Sequence, residues 1–294
     1  MYRNILYGQA VFLPFAAFLQ GIRKDDTMKI VDAHLHFMQI REFDQLALEA
    51  GHENSAGHLE AVYRELGVAA GVVMGNGPLP EQGNYPPFLR YCVGLDRMAM
   101  QGSEAGIQAS QVEEHLKRKN CVGVKLYPGY NYFYVWDDSL APIYALAEKY
   151  RKPVAIHTGL TAAGMGLLKY SHPLTLDEAA AKWPGVQFVM CHFGNPWLED
   201  AVAVLEKNRN VAADLSGLLE GKVRDWARLK RQGRAYHRML RGWLEYLDIY
   251  DRIMFGTDWP LANLNDYVEL TKLLVPREHW EDVFWRTAYR IYGL

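Results

Sequence analysis

Two histidines, His34 and His36, stand two residues apart in "VDAHLHF". A run of this composition reads as a β-strand, where alternate side chains share a face, so both imidazoles project the same way. On a buried face each ring needs a partner, because burying an unpaired polar group is costly. A metal ion is the partner that uses both, since neutral imidazole is a good donor to borderline divalent ions. Four further residues close or follow apolar runs: Lys125 in "VGVKLYP", His157 in "PVAIHTG", His192 in "FVMCHFG" and Asp258 in "IMFGTDWP". One strand-end histidine alone is ordinary packing, but six such residues together are hard to explain that way. An ion held by imidazoles and a carboxylate keeps a position open for water and lowers its pKa from about 16 toward about 7. Asp258 could take the proton released and pass it on. Asp32, two residues before His34, is expected on the same face as a deeper packing or supporting group.

Those residues need elements to position them. Short apolar runs fall at 29–35, 68–75, 88–95, 121–126, 153–157, 186–192, 210–215 and 252–256. Amphipathic stretches such as "SLAPIYALAEKY" and "NPWLEDAVAVLEKN" separate most of them. Eight strands alternating with helices predict a parallel sheet, and at about 250 residues for the unit a (β/α)8 TIM barrel. The proline-rich "NGPLPEQGNYPP" between the second and third runs predicts a loop in place of a helix, so the barrel is distorted. In a parallel barrel the C-terminal strand ends meet at one mouth, and the six residues above sit at those ends.

Composition narrows the function classes. The chain has 294 residues and a net charge of -2, which gives no general basis for binding nucleic acid or an anionic membrane. Cys92, Cys121 and Cys191 all lie in apolar runs without CxxC spacing, so buried free thiols in the cytoplasm are expected. The exception to the ordinary pattern is 4–22, which carries no charge but includes Asn4, Gln9, Pro14 and Gln20. Residues 1–27 therefore read as a leader or extension of uncertain status, and 28–294 as the barrel domain.

On "HLH", the strand-end histidines, "GVKLYPGY", "SHPLTLDEAA", "CHFGNPWLEDA" and "FGTDWP", the chain resembles the amidohydrolase superfamily, in its amidohydrolase-related branch of metal-dependent barrel hydrolases and decarboxylases. The resemblance implies that His34, His36 and His157 bind metal, that Asp258 is both ligand and proton shuttle, and that His192 binds a second metal or contacts substrate. It also implies a choice for Lys125, either a carbamylated bridge between two ions or a cationic substrate contact. A divalent ion, zinc foremost, is the expected cofactor, with one ion favoured over two.

Around the mouth, Tyr127 and Tyr130 in "YPGYNYFYVW" could hydrogen-bond substrate or pack as a lid. Arg97 is the guanidinium best placed to clamp a substrate carboxylate, against a surface salt bridge as the plainer role. Trp259 could wall the pocket. The basic run "GKVRDWARLKRQGRAYHRMLR" reads as an outer helix with a solvated cationic face. His52, His58, His115, His237 and His279 are expected outside. The leading function is hydrolysis of a small-molecule amide, lactone or ester by metal-activated water. The alternative is a lyase reaction, non-oxidative decarboxylation of an aromatic or unsaturated acid. A non-enzymatic barrel fits the complete residue set poorly. Partners are a small-molecule substrate and, as candidate assembly, a homodimer, with no nucleic acid and no membrane.

Overall fold

A computed structural model describes residues 28–96, 105–162, 164 and 166–294, so the segment 1–27, expected to be a leader or extension, and Arg97 lie outside the described residues. All eight expected strands are present: β1 (Ile30–Leu35), β2 (Val68–Met74), β3 (Leu89–Leu95), β4 (Cys121–Leu126), β5 (Val154–Ile156), β6 (Phe188–Met190), β7 (Val211–Asp214) and β8 (Ile253–Met254). They pair in parallel in chain order. The ring closes where the chain after β8 runs along β1. The Ala33 N–H donates to the Phe255 carbonyl (3.0 Å), the His36 N–H to the Trp259 carbonyl (2.7 Å) and the Asp258 N–H to the His34 carbonyl (2.8 Å). The architecture is a (β/α)8 TIM barrel. Between β2 and β3 there is only a 3-10 turn, Leu79–Glu81, as the prolines dictate.

Strand alternation separates two apolar layers. Ile30 and Leu35 of β1 face the surrounding helices, where they join Leu59 and Tyr63 of helix α2 (Ala56–Leu66). Val31, Ala33, Val72, Met74, Ala155, Val189 and Met254 fill the lumen, together with Ile291 and Tyr292 of the C-terminal helix Thr287–Tyr292. Burying a side chain the size of Ile291 contributes about 1.5–3 kcal/mol. The floor of the lumen is thus made by the chain's own C-terminus. Among the described residues no helix is long and apolar enough to cross a membrane. All three cysteines are buried and free.

Three sequence expectations need correction. Along β1, Asp32 pairs with Gly71 and Leu35 with Val73, so β1 spends three steps where β2 spends two. This bulge reverses the alternation. His34 turns into the mouth while Asp32 points the other way and accepts the Tyr63 hydroxyl at 2.9 Å. His52 and His115, expected outside, are buried. His115 is held by the Tyr91 hydroxyl (2.8 Å) and the Leu79 carbonyl (2.9 Å). The basic run does form exposed helical surface, including Arg228, Arg231, Arg234 and Arg238.

Candidate metal centre

At the mouth, the hydrogen bonds made by each imidazole fix which nitrogen carries its proton. His34 Nδ1 lies 2.9 Å from Asp214 Oδ2, a carboxylate that can only accept while ionised, so His34 donates there and Nε2 keeps its lone pair. His36 Nδ1 faces Asn76 Oδ1 at 2.7 Å and the Met74 carbonyl at 3.2 Å, which fixes the same tautomer. The two Nε2 atoms then converge on Asp258 Oδ1, at 3.4 Å from His34 and 3.3 Å from His36. Three acceptors meet with no donor between them, and both His34 Nε2 and Asp258 Oδ1 are buried without a hydrogen-bond partner. Such an arrangement is costly unless a cation occupies its centre. Donors bonded to one tetrahedral ion at about 2.1 Å stand about 3.4 Å apart. The donor set, two neutral imidazoles and a carboxylate, therefore fits a divalent ion.

A second pair lies beside it. His192 Nδ1 is 2.8 Å from Ser216 Oγ, whose own proton goes to Asp214. His192 therefore donates from Nδ1 and offers Nε2, which is 3.2 Å from His157 Nδ1. His157 donates from Nε2 to the Leu160 carbonyl at 3.1 Å. Here too lone pairs face each other. His192 also approaches Asp258 Oδ2 at 4.0 Å, and its ring centroid is 4.7 Å from that of His34.

Electrostatics follow from this packing. Burial drives His34 and His157 below the ordinary histidine range, and His192 down to about 4, so all three rings are held neutral. Burial works to raise the Asp258 carboxyl, and a donated proton from His36 with positive charge on His192 and His34 would outweigh it and hold the group well below the usual range; with the rings neutral, a cation at the centre would take that role. Asp214 behaves alike, with His34, His192 and Ser216 overcoming the burial cost. Neutral imidazoles beside ionised carboxylates are the protonation states a divalent ion requires.

Lys125 is fully buried, with Nζ 2.8 Å from Cys191 Sγ and 5.2 Å from the centre of the Tyr127 ring. The Tyr127 hydroxyl is committed to the Gly75 (2.8 Å) and Met74 (3.1 Å) carbonyls. Both residues line a cavity of about 850 Å³ that opens over the centre, as do His36, His157, His192 and Asp258. Trp259 is fully buried behind the wall instead of in it, its ring against His52 (4.9 Å) and His58 (6.2 Å).

The family model described as Amidohydrolase matches residues 31–294. The chain belongs to the amidohydrolase family. It is an enzyme of a family whose solved members share this barrel. Three similar structures illustrate the range. An amidohydrolase from Burkholderia multivorans with bound zinc is 17% identical (TM-score 0.65, covering 90% of this chain and 99% of that one). The 2,6-dihydroxybenzoate decarboxylase from Rhizobium is 14% identical (TM-score 0.65, 91% and 99%). A Pseudomonas putida protein assigned as a 2-pyrone-4,6-dicarboxylic acid hydrolase is 20% identical (TM-score 0.62, 91% and 98%). No curated protein matches the chain.

Some of this amidohydrolase's site residues escaped sequence reasoning. Asp214 serves both histidine groups: Oδ2 accepts from His34, and Oδ1 accepts from the His192 N–H (3.0 Å) and the Ser216 N–H (3.2 Å). Its one legible signal was an acidic residue at the end of the seventh apolar run. His192 and Asp258 adopt φ of 62° and 58°, left-handed backbone that costs about 1–2 kcal/mol outside glycine. That turn is what folds each side chain back over the mouth. Gly217, at φ +67, sits where a Cβ would come within 2.6 Å of His192 Nδ1.

Proposed function

We propose that this amidohydrolase is a metal-dependent hydrolase that uses activated water on a small-molecule lactone, ester or amide. The observation that carries the proposal is the donor-free convergence of His34 Nε2, His36 Nε2 and Asp258 Oδ1. These three would hold the ion, with His157 Nδ1 as a further donor. Zinc suits a nitrogen-rich set of neutral imidazoles, and one ion is favoured over two. When bound, the ion supplies Lewis acidity, which polarises the substrate carbonyl and acidifies water.

The chain's own residues do the rest. Asp258 Oδ2 faces the cavity beside His192 and accepts the proton of the attacking water, then returns it to the leaving group. His192, neutral and tied through Ser216 to Asp214, presents Nε2 in a fixed direction. Tyr130 also lines the cavity, with its hydroxyl accepting the Ala162 N–H at 2.7 Å and its own proton available to a substrate oxygen. Lys125 supplies a positive charge at the cavity floor. The buried thiols support a reducing, cytoplasmic setting.

Decarboxylation is the second reading, favoured by the Rhizobium relative and by Lys125 as the lining cation. Parallel assays on one metal-loaded sample decide between them. Ester or lactone turnover without carbon dioxide release supports the hydrolase, and carbon dioxide release from an aromatic acid without ester or lactone turnover overturns it.

A further inference from the structure

Above the polar centre the cavity changes character. Met38 after β1, with Phe43 and Leu46 of helix α1 (Arg41–Glu49), forms one side, and Leu160, Leu218 and Leu261 contribute from the loops after β5, β7 and β8. Each is partly or fully open, and Leu160 is 55% exposed. Burying apolar side chains is the main favourable term in folding, so leaving six around one mouth has a cost that a ligand would recover.

These side chains are held open by the backbone beneath them. The Leu218 N–H donates to the Tyr267 hydroxyl at 2.8 Å. The loops after β7 and β8 are joined by the Gly221 N–H to the Leu261 carbonyl (2.7 Å) and the Asn263 N–H to the Gly221 carbonyl (2.9 Å). The Leu160 N–H donates to the Asn195 carbonyl at 3.1 Å. Phe43 connects this rim to the centre, its ring centroid 6.2 Å from that of His36. Among the described residues that line the cavity, the carboxylates besides Asp258 are Asp96, which receives the Gly77 N–H at 2.7 Å, and the exposed Glu220. Lys125 lies at the floor against Cys191. Among the described residues of the rim, an anionic substituent would meet Glu220 and leucines.

We propose that this rim is a subsite for an uncharged, hydrophobic substituent, so that the substrate is an alkyl- or aryl-bearing lactone, ester or amide whose carbonyl sits at the metal centre and whose apolar group lies among Phe43, Leu46, Leu160, Leu218 and Leu261. The choice of carbonyl compound rests on the hydrolase reading; the apolar subsite does not.

The test is binding of straight-chain hydroxamic acids to the zinc-loaded full chain, measured by calorimetry. The head group is constant across the series, so chain length alone reads the rim. A fully buried methylene is worth about 0.8 kcal/mol, or about 4-fold in Kd, so each added methylene is expected to tighten binding by about 2- to 4-fold until the rim is filled. A terminal carboxylate on the same chain is expected to weaken binding by about 10-fold or more. Leu218→Asp and Leu46→Asp should each flatten the chain-length dependence, and Leu218→Met should keep it. A flat wild-type series, or tighter binding of the carboxylate-ended chains, overturns the proposal. Ester and lactone assays run on the same sample separate the two claims. No turnover with the chain-length dependence intact removes the hydrolase reading and supports the subsite.

Discussion

The mouth has two halves that use the same residue types differently. On the β1–β8 side, His34, His36 and Asp258 bring three acceptor atoms to one point, with Asp214 behind His34 and Asn76 behind His36. On the β4–β6 side, His157 and His192 bring two, and Lys125, which could have completed a second set, directs its ammonium at Cys191 Sγ. Three convergent donors make an ion site by themselves, whereas two must share an ion held by others. The difference is the ground for proposing a single ion centred on the β1–β8 side, with His192 beside it.

The sharpest way to break this comparison is Asp258→Asn. The amide keeps the shape and an oxygen donor but cannot take a proton near neutral pH. Positioned proton transfer contributes about 100- to 10,000-fold in rate, so turnover should fall by that much. Metal content should fall much less than in His34→Ala; near-native turnover with metal bound would remove Asp258 as the base.

Asp214→Asn attacks the support behind both halves. An amide at this position can orient its oxygen to His34 or to His192 and Ser216, but not satisfy all of them. Loss of a group that orients ligands typically costs about 10- to 100-fold in metal affinity, and competition with a chelator would measure it. An unchanged affinity would mean that Asp214 serves packing alone.

Lys125→Ala sharpens the contrast between one ion and two. If the ammonium is not part of the metal set, the variant keeps the wild-type metal content, and short carboxylic acids do not restore any lost activity. A drop in metal content, with rescue by such acids, would assign Lys125 to a bridge.

How far the sequence could see differs between the halves as well. The eight strands, the closing order and the six mouth residues were legible because apolar runs bounded by helical patterns carry a strong periodic signal. The direction of side chains at strand ends was not. Period two puts Asp32 beside His34, and one inserted residue in β1 sends them to opposite faces. The left-handed turns at His192 and Asp258 follow from tertiary demand and leave no local mark, since neither is glycine. Trp259 illustrates the same limit. Its neighbour Asp258 faces the cavity, and it is turned away against His52 and His58.

The smallest predicted effect lies in that supporting layer. His52 Nε2 accepts the Leu264 N–H at 3.1 Å, so this nitrogen must stay unprotonated in the fold. Burial lowers His52 from 6.5 to about 4, with His58 and Lys222 adding to the shift. The unfolded chain therefore binds a proton across that window and the folded chain does not, so stability rises with pH through it. The contribution is complete above about 6.5 and is lost as pH falls toward about 4. The denaturant midpoint should fall less between pH 7 and pH 5 in His52→Gln than in the wild type, and an identical fall would discount His52.

The metal content of purified, metal-saturated protein, determined by elemental analysis beside that of His34→Ala, tests the central claim most directly. The convergence of His34, His36 and Asp258 predicts one ion per wild-type chain and loss of most of it in a variant that still folds. Full metal occupancy in folded His34→Ala would contradict the account.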